Sequence, residues 1–216
     1  MRRPEFIARQ SRRPSGWLGR IIGRIMAHET ADANRVALDL LELERSDRLL
    51  DVGCGHGAAL ASAAEIVTDG FLAGLDHSEI MLQIARRTNA ALLESRRLEL
   101  TLGDSLRIPF ADGRFNKICS VHTVYFWIKP EPQLREILRV LSPGGRLVLA
   151  YHPVDDARFS REFPRSVYTF HSVADIETIM NASGFQTTRT EMKRGAGGLM
   201  AWTIGEKGGV RSGVAE

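Results

Sequence analysis

The most informative segment of the chain is LLDVGCGHG at residues 49–57, a short apolar run that enters a turn with glycine at every second position. A short apolar run bounded by glycines predicts a buried strand, and the alanine-rich residues that follow are typical of a helix. Glycines at such a turn let the backbone approach a ligand closely, and the start of the helix offers unpaired N–H groups. The segment therefore predicts a strand, a ligand-binding turn and a helix in succession.

The same alternation continues on either side of this segment. The first strand is predicted at residues 48–52, further strands at 71–76, 98–102, 115–121 and 147–151, and helices at 57–67, 78–92 and 130–141. Strands that alternate with helices favour a parallel sheet covered on both faces, with right-handed crossovers. The ligand site of such a sheet lies at the carboxyl ends of its strands.

The pattern changes after residue 151. Residues 155–170 look irregular, residues 172–183 predict a helix, and residues 185–193 and 199–205 predict two strands joined by a link of a few residues. So short a link requires antiparallel pairing, because a parallel crossover needs a dozen residues or more. We therefore expect an α/β fold, a doubly wound, Rossmann-like, mostly parallel seven-stranded sheet that closes with a C-terminal antiparallel hairpin.

Composition sets limits on the kind of protein. The 216 residues are 44% hydrophobic and 25% charged, which is typical of a globular domain with a complete core. Two cysteines without zinc-ligand spacing predict reduced thiols, no metal and a cytoplasmic location. We expect no membrane span and no secretory signal, because each apolar stretch falls short of about 20 residues.

The N-terminal segment is strongly basic, with seven arginines and one acidic residue in residues 1–24. This charge fits a nucleic-acid arm, a membrane-surface helix, a transit peptide or a solvated flap. Residues 15–30 also carry an apolar helical stripe, which consists of Trp17, Leu18, Ile21, Ile22, Ile25 and Met26. We interpret residues 1–44 as a basic, helical lid segment and residues 45–216 as the ligand-binding domain.

Acidic residues follow three of the predicted strands. The turn alone also fits the dinucleotide fingerprint, and Asp76, at the end of the second strand, suits the ribose of either kind of nucleotide ligand. Asp51, beside the turn, is poorly placed for a pyrophosphate and well placed for an ammonium group. Asp104, after the third strand, can accept a hydrogen bond from an adenine amine, or it can simply initiate a turn.

Together these features resemble the class I S-adenosylmethionine-dependent methyltransferases, in particular the bacterial enzymes that act on small molecules. The resemblance covers about residues 16–205 and rests on ordered motifs, which are LLDVGCGHG at 49–57, GLDHSEIML at 74–82, GDSLRIPFADGRFNKICSVHTVYFW at 103–127, LREILRVLSPGGRLVLAYH at 134–152 and Gly184-Phe185 after the last helix. It implies S-adenosylmethionine as the cofactor, with S-adenosylhomocysteine as the product.

The resemblance also assigns residues to the parts of the cofactor. Asp51, Gly53 and Gly55 would hold its amino acid end, Asp76 its ribose, and Asp104 and Ser105 its adenine. Cys54, His77, Met81 and Val121 complete the expected cofactor-binding set. Two positions depart from the family pattern. Asn116 replaces a usual aspartate and should disturb a local turn, and His77 replaces an aliphatic residue, so that its ring could stack on the adenine.

The reaction needs a nucleophile and the methyl group brought together in a dry pocket. A general base is required only where the acceptor must lose a proton, and the candidate catalytic residues are His122, Tyr125 and His152. For each of the three, packing or orientation without acid–base work is the favoured role. The aromatic run Tyr125-Phe126-Trp127 is either core or, as its loop position favours, part of the acceptor pocket or a surface facing the sulfonium.

Three functions remain open on these residues. The first is methyl transfer to a small organic acceptor. The second is an RNA or protein methyltransferase that docks its basic arm on phosphate. The third is an NAD-dependent enzyme or a nucleotide-binding module. The sequence carries no motif that identifies the acceptor, and it leaves the oligomeric state open.

Overall fold

The structure is a computed structural model that describes residues 4–12, 14, 16, 30–195 and 198–209. The strands are β1 Arg48–Val52, β2 Phe71–Asp76, β3 Leu98–Leu102, β4 Phe115–Val121, β5 Leu141–Tyr151, β6 Thr187–Gly195 and β7 Gly198–Glu206. The helices are α1 Glu5–Arg12, α2 Ala31–Leu41, α3 Ala58–Ala63, α4 Glu79–Thr88, α5 Ala90–Glu94, α6 Pro130–Val140, α7 Ala157–Glu162 and α8 Val173–Ser183, with a 3₁₀ turn at Val124–Phe126.

The seven strands form one sheet in the order β3-β2-β1-β4-β5-β7-β6. Strands β1 to β5 run parallel, whereas β7 pairs antiparallel with both β5 and β6. The order reverses between β1 and β4, which is the switch point where an open α/β sheet binds its ligand. The predicted doubly wound sheet with a closing antiparallel hairpin is confirmed.

The sheet is covered on both faces because its central strands are apolar throughout. Leu49 and Leu50 are both fully buried, and since neighbouring residues of a strand point to opposite faces, they enter different core clusters. One cluster contains Leu134 and Ile137 of α6. The other contains Leu38 of α2, so this helix belongs to the covering layer of the sheet.

Two elements differ from the sequence expectation. Residues 155–170 are not irregular throughout, because α7 lies within them. Strand β5 begins at Leu141, where that residue pairs with Phe115, and the register shifts before Lys117 pairs with Arg146. Leu141 is fully buried, and the strand runs from it across Ser142-Pro143-Gly144-Gly145, whereas the sequence predicts a strand only at residues 147–151.

Asn116 does not disturb its surroundings as expected, because its side chain forms two hydrogen bonds. Its side-chain oxygen accepts a hydrogen bond from Arg48 N (2.7 Å), and its amide nitrogen donates to Asp47 Oδ1 (2.6 Å). Asp47 is 3% exposed. An aspartate at position 116 would put two carboxylates in contact, so the amide and Asp47 form a matched pair that ties β1 to β4.

Part of the N-terminal segment lies within the described residues. Ala8 of α1 is fully buried in the core cluster that contains α6, and Trp202 Nε1 of β7 donates to Ala33 O of α2 (3.1 Å). The apolar stripe from Trp17 to Met26 lies outside the described residues, so the lid stays a prediction. The described helices include none that is long and apolar enough to cross a membrane.

Candidate active site

A cavity of about 500 Å³ opens at the carboxyl ends of β1, β2, β3 and β4. This volume falls in the usual range for small-molecule sites. Its walls hold every residue expected to bind the cofactor, namely Asp51, Gly53, Cys54, Gly55, Asp76, His77, Met81, Asp104, Ser105 and Val121. The topology therefore brings together residues that lie up to 70 positions apart in the sequence.

The glycine turn between β1 and α3 is a tight backbone feature on the cavity floor. Gly53, Gly55 and Gly57 all have positive φ angles, of 82°, 53° and 78°. Gly53 N donates to Leu75 O (2.7 Å), which fixes the turn to β2. A Cβ atom added at Gly55 would have no atom within 4 Å. Since Gly55 lines the cavity, that open space is available to a ligand.

Asp76, at the end of β2, holds the turn in place. Its Oδ2 accepts from Gly55 N (2.8 Å), and its Oδ1 accepts from Ser78 N (2.8 Å). The carboxylate is 7% exposed, and burial raises its pKa despite these two backbone donors. The side chain thus links the glycine turn to the start of α4, where Ser78 Oγ caps the helix by accepting from Met81 N (3.4 Å).

Asp51, at the end of β1, is 4% exposed and lies beside two buried thiols. Burial raises its pKa to about 7, and the charge of Asp76 adds to the shift, whereas a hydrogen bond with Cys119 opposes it. Burial also raises the pKa of Cys54 and Cys119. These thiols are therefore protonated at neutral pH, and Asp51 is poised to ionise when a cation approaches.

Asp104 has the turn-forming role that its sequence position left open, and its contact with adenine stays a prediction. Its Oδ1 accepts from Leu106 N (2.8 Å), which is the turn-forming role, while the residue also lines the cavity. Ser105 lies next to it on the same wall. His77 also lines the cavity, and its Nδ1 lies 3.9 Å from Asp76 Oδ1.

The three candidate catalytic residues form one contact chain, but only His122 lines the cavity. His122 Nδ1 lies 3.1 Å from Tyr125 Oη, and this hydroxyl accepts from His152 N (2.5 Å). Since this hydroxyl already accepts from His152 N, its own proton is available for His122 Nδ1. We infer from this arrangement the tautomer of His122 that carries its proton on Nε2.

His122 is held in an unusual state. Its φ of 57° lies in the left-handed region, and burial lowers its pKa to about 3, with the nearby His152 adding to the shift. Since the ring is neutral with its proton on Nε2, it offers a hydrogen-bond donor to its surroundings. Nδ1, engaged by Tyr125, is the basic nitrogen and is not free to abstract a proton.

Tyr125 and His152 lie behind the cavity wall, 2% and 7% exposed. His152 Nδ1 donates to Leu199 O (2.8 Å), and its ring stacks on Phe159 at a centroid distance of 4.0 Å. This burial favours a packing or orienting role for Tyr125 and His152, and a catalytic role for either residue stays a prediction. Of the aromatic run, Phe126 and Trp127 line the cavity.

Sequence reasoning missed several residues of the cavity wall. They are Ser11, Arg12 and Pro14 from the N-terminal segment, Thr30 and Asn34 around the start of α2, and Thr123 and Gln133 beyond β4. Gln133 had a signal in the sequence, because it precedes Ile137 by four residues and so places an amide on the apolar face of α6. The N-terminal residues had none, since their contacts are long-range.

Comparison with known proteins identifies the family of this chain. A family model described as a methyltransferase domain matches residues 43–192, which is more than half of the chain. An O-methyltransferase of Pyrenophora dematioidea is 28% identical over 160 residues, covering 73% of this chain and 58% of the relative. The uncharacterized methyltransferase YdaC of Bacillus subtilis is 28% identical over 173 residues, covering 80% and 90%.

Among solved structures, the S-adenosylmethionine-dependent methyltransferase SibL in its apo form is similar in fold. Its TM-score is 0.73 at 23% identity, with 94% of this chain and 62% of that chain covered. The chain belongs to the methyltransferase domain family, as the resemblance predicted. It spans 58% and 46% of the lengths of two of its curated relatives.

S-adenosylmethionine is the cofactor of this family, and the residues present fit it. Three buried or turn-forming carboxylates, Asp51, Asp76 and Asp104, line one side of the cavity and suit a cationic ligand. The open space beside Gly55 gives that ligand access to the backbone. Among the described residues, no group of three His, Cys, Asp or Glu side chains is arranged to hold a metal ion.

Proposed function

We propose that this chain transfers a methyl group from S-adenosylmethionine to a small organic acceptor bound in the same cavity. The observation that carries the proposal is that the glycine turn, Asp51, Asp76 and Asp104 line one cavity at the switch point of the sheet. The volume of about 500 Å³ supports a small acceptor, because a cofactor of nucleoside size takes up much of it.

Each carboxylate suits one part of the cofactor. Asp51 would pair with its ammonium group beside the glycine turn, Asp76 would accept from the ribose hydroxyls, and Asp104 would accept from the adenine amine. Ser105 would contribute to the adenine site, and His77 and Met81 would flank the nucleoside. When bound, the cofactor supplies a methyl group activated by its sulfonium charge.

The residues beyond β4 would serve the acceptor. Phe126 and Trp127 provide an apolar wall that excludes water and brings the acceptor against the methyl group. His122 would donate its Nε2–H to an oxygen or nitrogen of the acceptor and fix its orientation. In this arrangement His122 does not remove a proton from the acceptor. The acceptor must therefore attack with a lone pair that is already free, which favours amines and anionic acceptors.

We also propose that the N-terminal segment covers this cavity. Ser11, Arg12 and Pro14 contribute to its wall, and Ala8 anchors α1 in the core. A cover of this kind would retain the cofactor and exclude water. Deleting residues 1–30 should give a folded protein with weakened cofactor retention and little turnover, and undiminished turnover would contradict the proposal.

Calorimetry tests the proposed cofactor. The chain should bind S-adenosylhomocysteine and not NAD, and Asp76→Ala should weaken that binding by about 1.5–3 kcal/mol, the contribution of hydrogen bonds to a charged group. A folded Asp76→Ala variant with the wild-type dissociation constant would remove Asp76 from the site. Tight binding of NAD instead would favour the nucleotide-binding alternative.

A screen with methyl-labelled cofactor tests the acceptor class. Small amines and carboxylates should include a substrate, whereas transfer to RNA or protein alone would overturn the small-molecule assignment. An RNA-binding arm would also show affinity that falls steeply as salt is raised. The absence of labelled product with every class would contradict methyl transfer itself.

A further inference from the structure

Gln133, in the first turn of α6, carries a polar group that the fold leaves unsatisfied. The side chain is 93% buried, and its Oε1 has no hydrogen-bond partner. A buried carbonyl oxygen without a partner is destabilising, and such groups are uncommon in folded proteins. Gln133 also lines the cavity, and because its Oε1 is closed to solvent, a bound ligand can donate to this oxygen once the amide turns toward the cavity.

The contacts of α6 indicate which part of the protein lies beside Gln133. Glu136 Oε2 accepts from Ile108 N (3.0 Å), and Arg139 Nη2 donates to Ile108 O (2.8 Å). The helix therefore runs along the loop that follows Asp104. Gln133 lies one turn before Glu136 on the same side of the helix, toward the cavity. It lines the same cavity as Asp104 and Ser105, and its helix contacts the loop that follows them.

We infer that Gln133 Oε1 accepts a hydrogen bond from the 6-amino group of the cofactor's adenine, together with Asp104, and so makes the site selective for adenine. This inference rests on the proposed function. The 6-amino group has two hydrogens, and Asp104 and Gln133 offer one acceptor oxygen each. One oxygen of Asp104 is already engaged by Leu106 N, which leaves its second oxygen for the base.

The chemistry predicts rejection of a 6-oxo purine. Such a base presents an oxygen where adenine presents two donors, so it would face two acceptors without a proton between them. A site built to hydrogen-bond a ligand group discriminates strongly against an analogue that lacks it, because its own buried groups are then unpaired. Gln133 is on this account a specificity-determining residue of the cofactor site.

Binding of two cofactor analogues tests the inference. Calorimetry compares S-adenosylhomocysteine with S-inosylhomocysteine, whose base carries oxygen in place of the amino group, in the full-length wild type and in Gln133→Met. Methionine keeps the length of the side chain and removes the acceptor. The exposed Gln83 provides a matched control, Gln83→Met, on the surface of α4.

The wild type should bind the adenine analogue at least tenfold more tightly than the inosine analogue. Gln133→Met should lose about five- to tenfold in affinity for the adenine analogue and change less than twofold for the inosine analogue. Its melting temperature without ligand should be equal to or above that of the wild type, because an unpaired buried oxygen has been removed. Gln83→Met should leave both affinities unchanged.

Two other outcomes would overturn the inference. Wild-type affinity of Gln133→Met for the adenine analogue, or an equal loss for both analogues, would overturn the role of Gln133 while the proposed function stands. A wild-type protein that binds neither analogue would overturn the proposed function and this inference with it. A merely structural role would change the melting temperature and leave the ratio of the two affinities unaltered.

Discussion

Ser78 Oγ donates a hydrogen bond of 2.8 Å to the carbonyl oxygen of Pro14, across 64 positions of the sequence. Ser78 is 2% exposed, and its backbone N–H donates to Asp76, the carboxylate that we propose binds the ribose. One serine therefore connects the N-terminal segment to the cofactor site. Because both contacts use the same residue, the position of Pro14 and the order of the site are linked.

Ser78→Ala should separate these contacts. The substitution keeps the backbone bond to Asp76 and removes both the contact with Pro14 and the cap of α4, at a cost of about 1 kcal/mol in unfolding free energy. We expect S-adenosylhomocysteine to dissociate several times faster, measured by stopped-flow fluorescence. Ser172→Ala is the control, since Ser172 caps α8 by accepting from Asp175 N (3.0 Å). Equal dissociation rates in the two variants would disprove the linkage.

Gly55→Val should abolish cofactor binding. The position has a φ of 53°, which a β-branched residue resists, and the side chain would enter the open space of the cavity. Gly144→Val is a matched control, with a φ of 75° and equally open surroundings, outside the residues that line the cavity. Both should lose about 1–2 kcal/mol of stability. Calorimetry should find binding lost only at Gly55, and comparable affinity in both would place the turn outside the site.

Tyr125→Phe should change the tautomer of His122. The variant removes the proton donated to His122 Nδ1 and leaves His152 N unpaired, at a cost of about 1–3 kcal/mol. Nitrogen NMR of the histidine rings should find Nε2–H in the wild type and a mixture of tautomers in the variant, with turnover reduced. The control is Tyr151→Phe, since Tyr151 Oη bonds Thr203 Oγ1 (3.0 Å). An unchanged His122 spectrum in Tyr125→Phe would contradict the assignment.

Cofactor affinity should rise with pH between 5 and 7. Burial raises the pKa of Asp51 to about 7, so below that pH the carboxyl must lose a proton before it pairs with an ammonium group. The association constant for S-adenosylhomocysteine should increase up to tenfold per pH unit and level off above 7. In Asp51→Asn the slope should shrink and the affinity at pH 7.5 should fall. An identical slope in that variant would assign the titration to another group.

Thermal stability reports the titration of Asp51 less clearly than cofactor affinity does. The folded apo protein keeps a proton on Asp51 that the unfolded chain has released, so this contribution is full below pH 3.8 and is lost as the pH rises through 7. His122 acts in the opposite direction. Its pKa is lowered from 6.5 to about 3, so its contribution is present above 6.5 and is lost as the pH falls toward 3. The two effects oppose each other between pH 4 and 6.5.

Strands β1 and β2 could be predicted to the residue because glycines and charged residues bound their apolar runs on both sides. The start of β5 could not, since Leu141 joins the strand through pairing with Phe115, a contact 26 positions away. The local sequence also does not predict α7, whose aromatic residue Phe159 stacks on the ring of His152. Long-range packing thus overrides local preference at both places.

The residues of the candidate site also divide into those that a local pattern predicts and those that long-range contacts place. Asp51, Asp76 and Asp104 could be found because strand ends in a parallel sheet meet at one edge. The burial of Tyr125 could not, because it depends on rings from residues 159–170 that surround it. Pro14 reaches the site through a hydrogen bond to Ser78 that no local pattern encodes.

The strand order has a consequence for how the chain is synthesised and folded. The last strand in sequence, β7, lies between β5 and β6 and provides the only described bridge between them. Until β7 has left the ribosome, β5 presents an unpaired edge and β6 has no neighbour to bond. Open edges of this kind invite pairing between molecules. Chains that stop short of residue 198 should therefore aggregate rather than fold, however complete their cofactor motifs are.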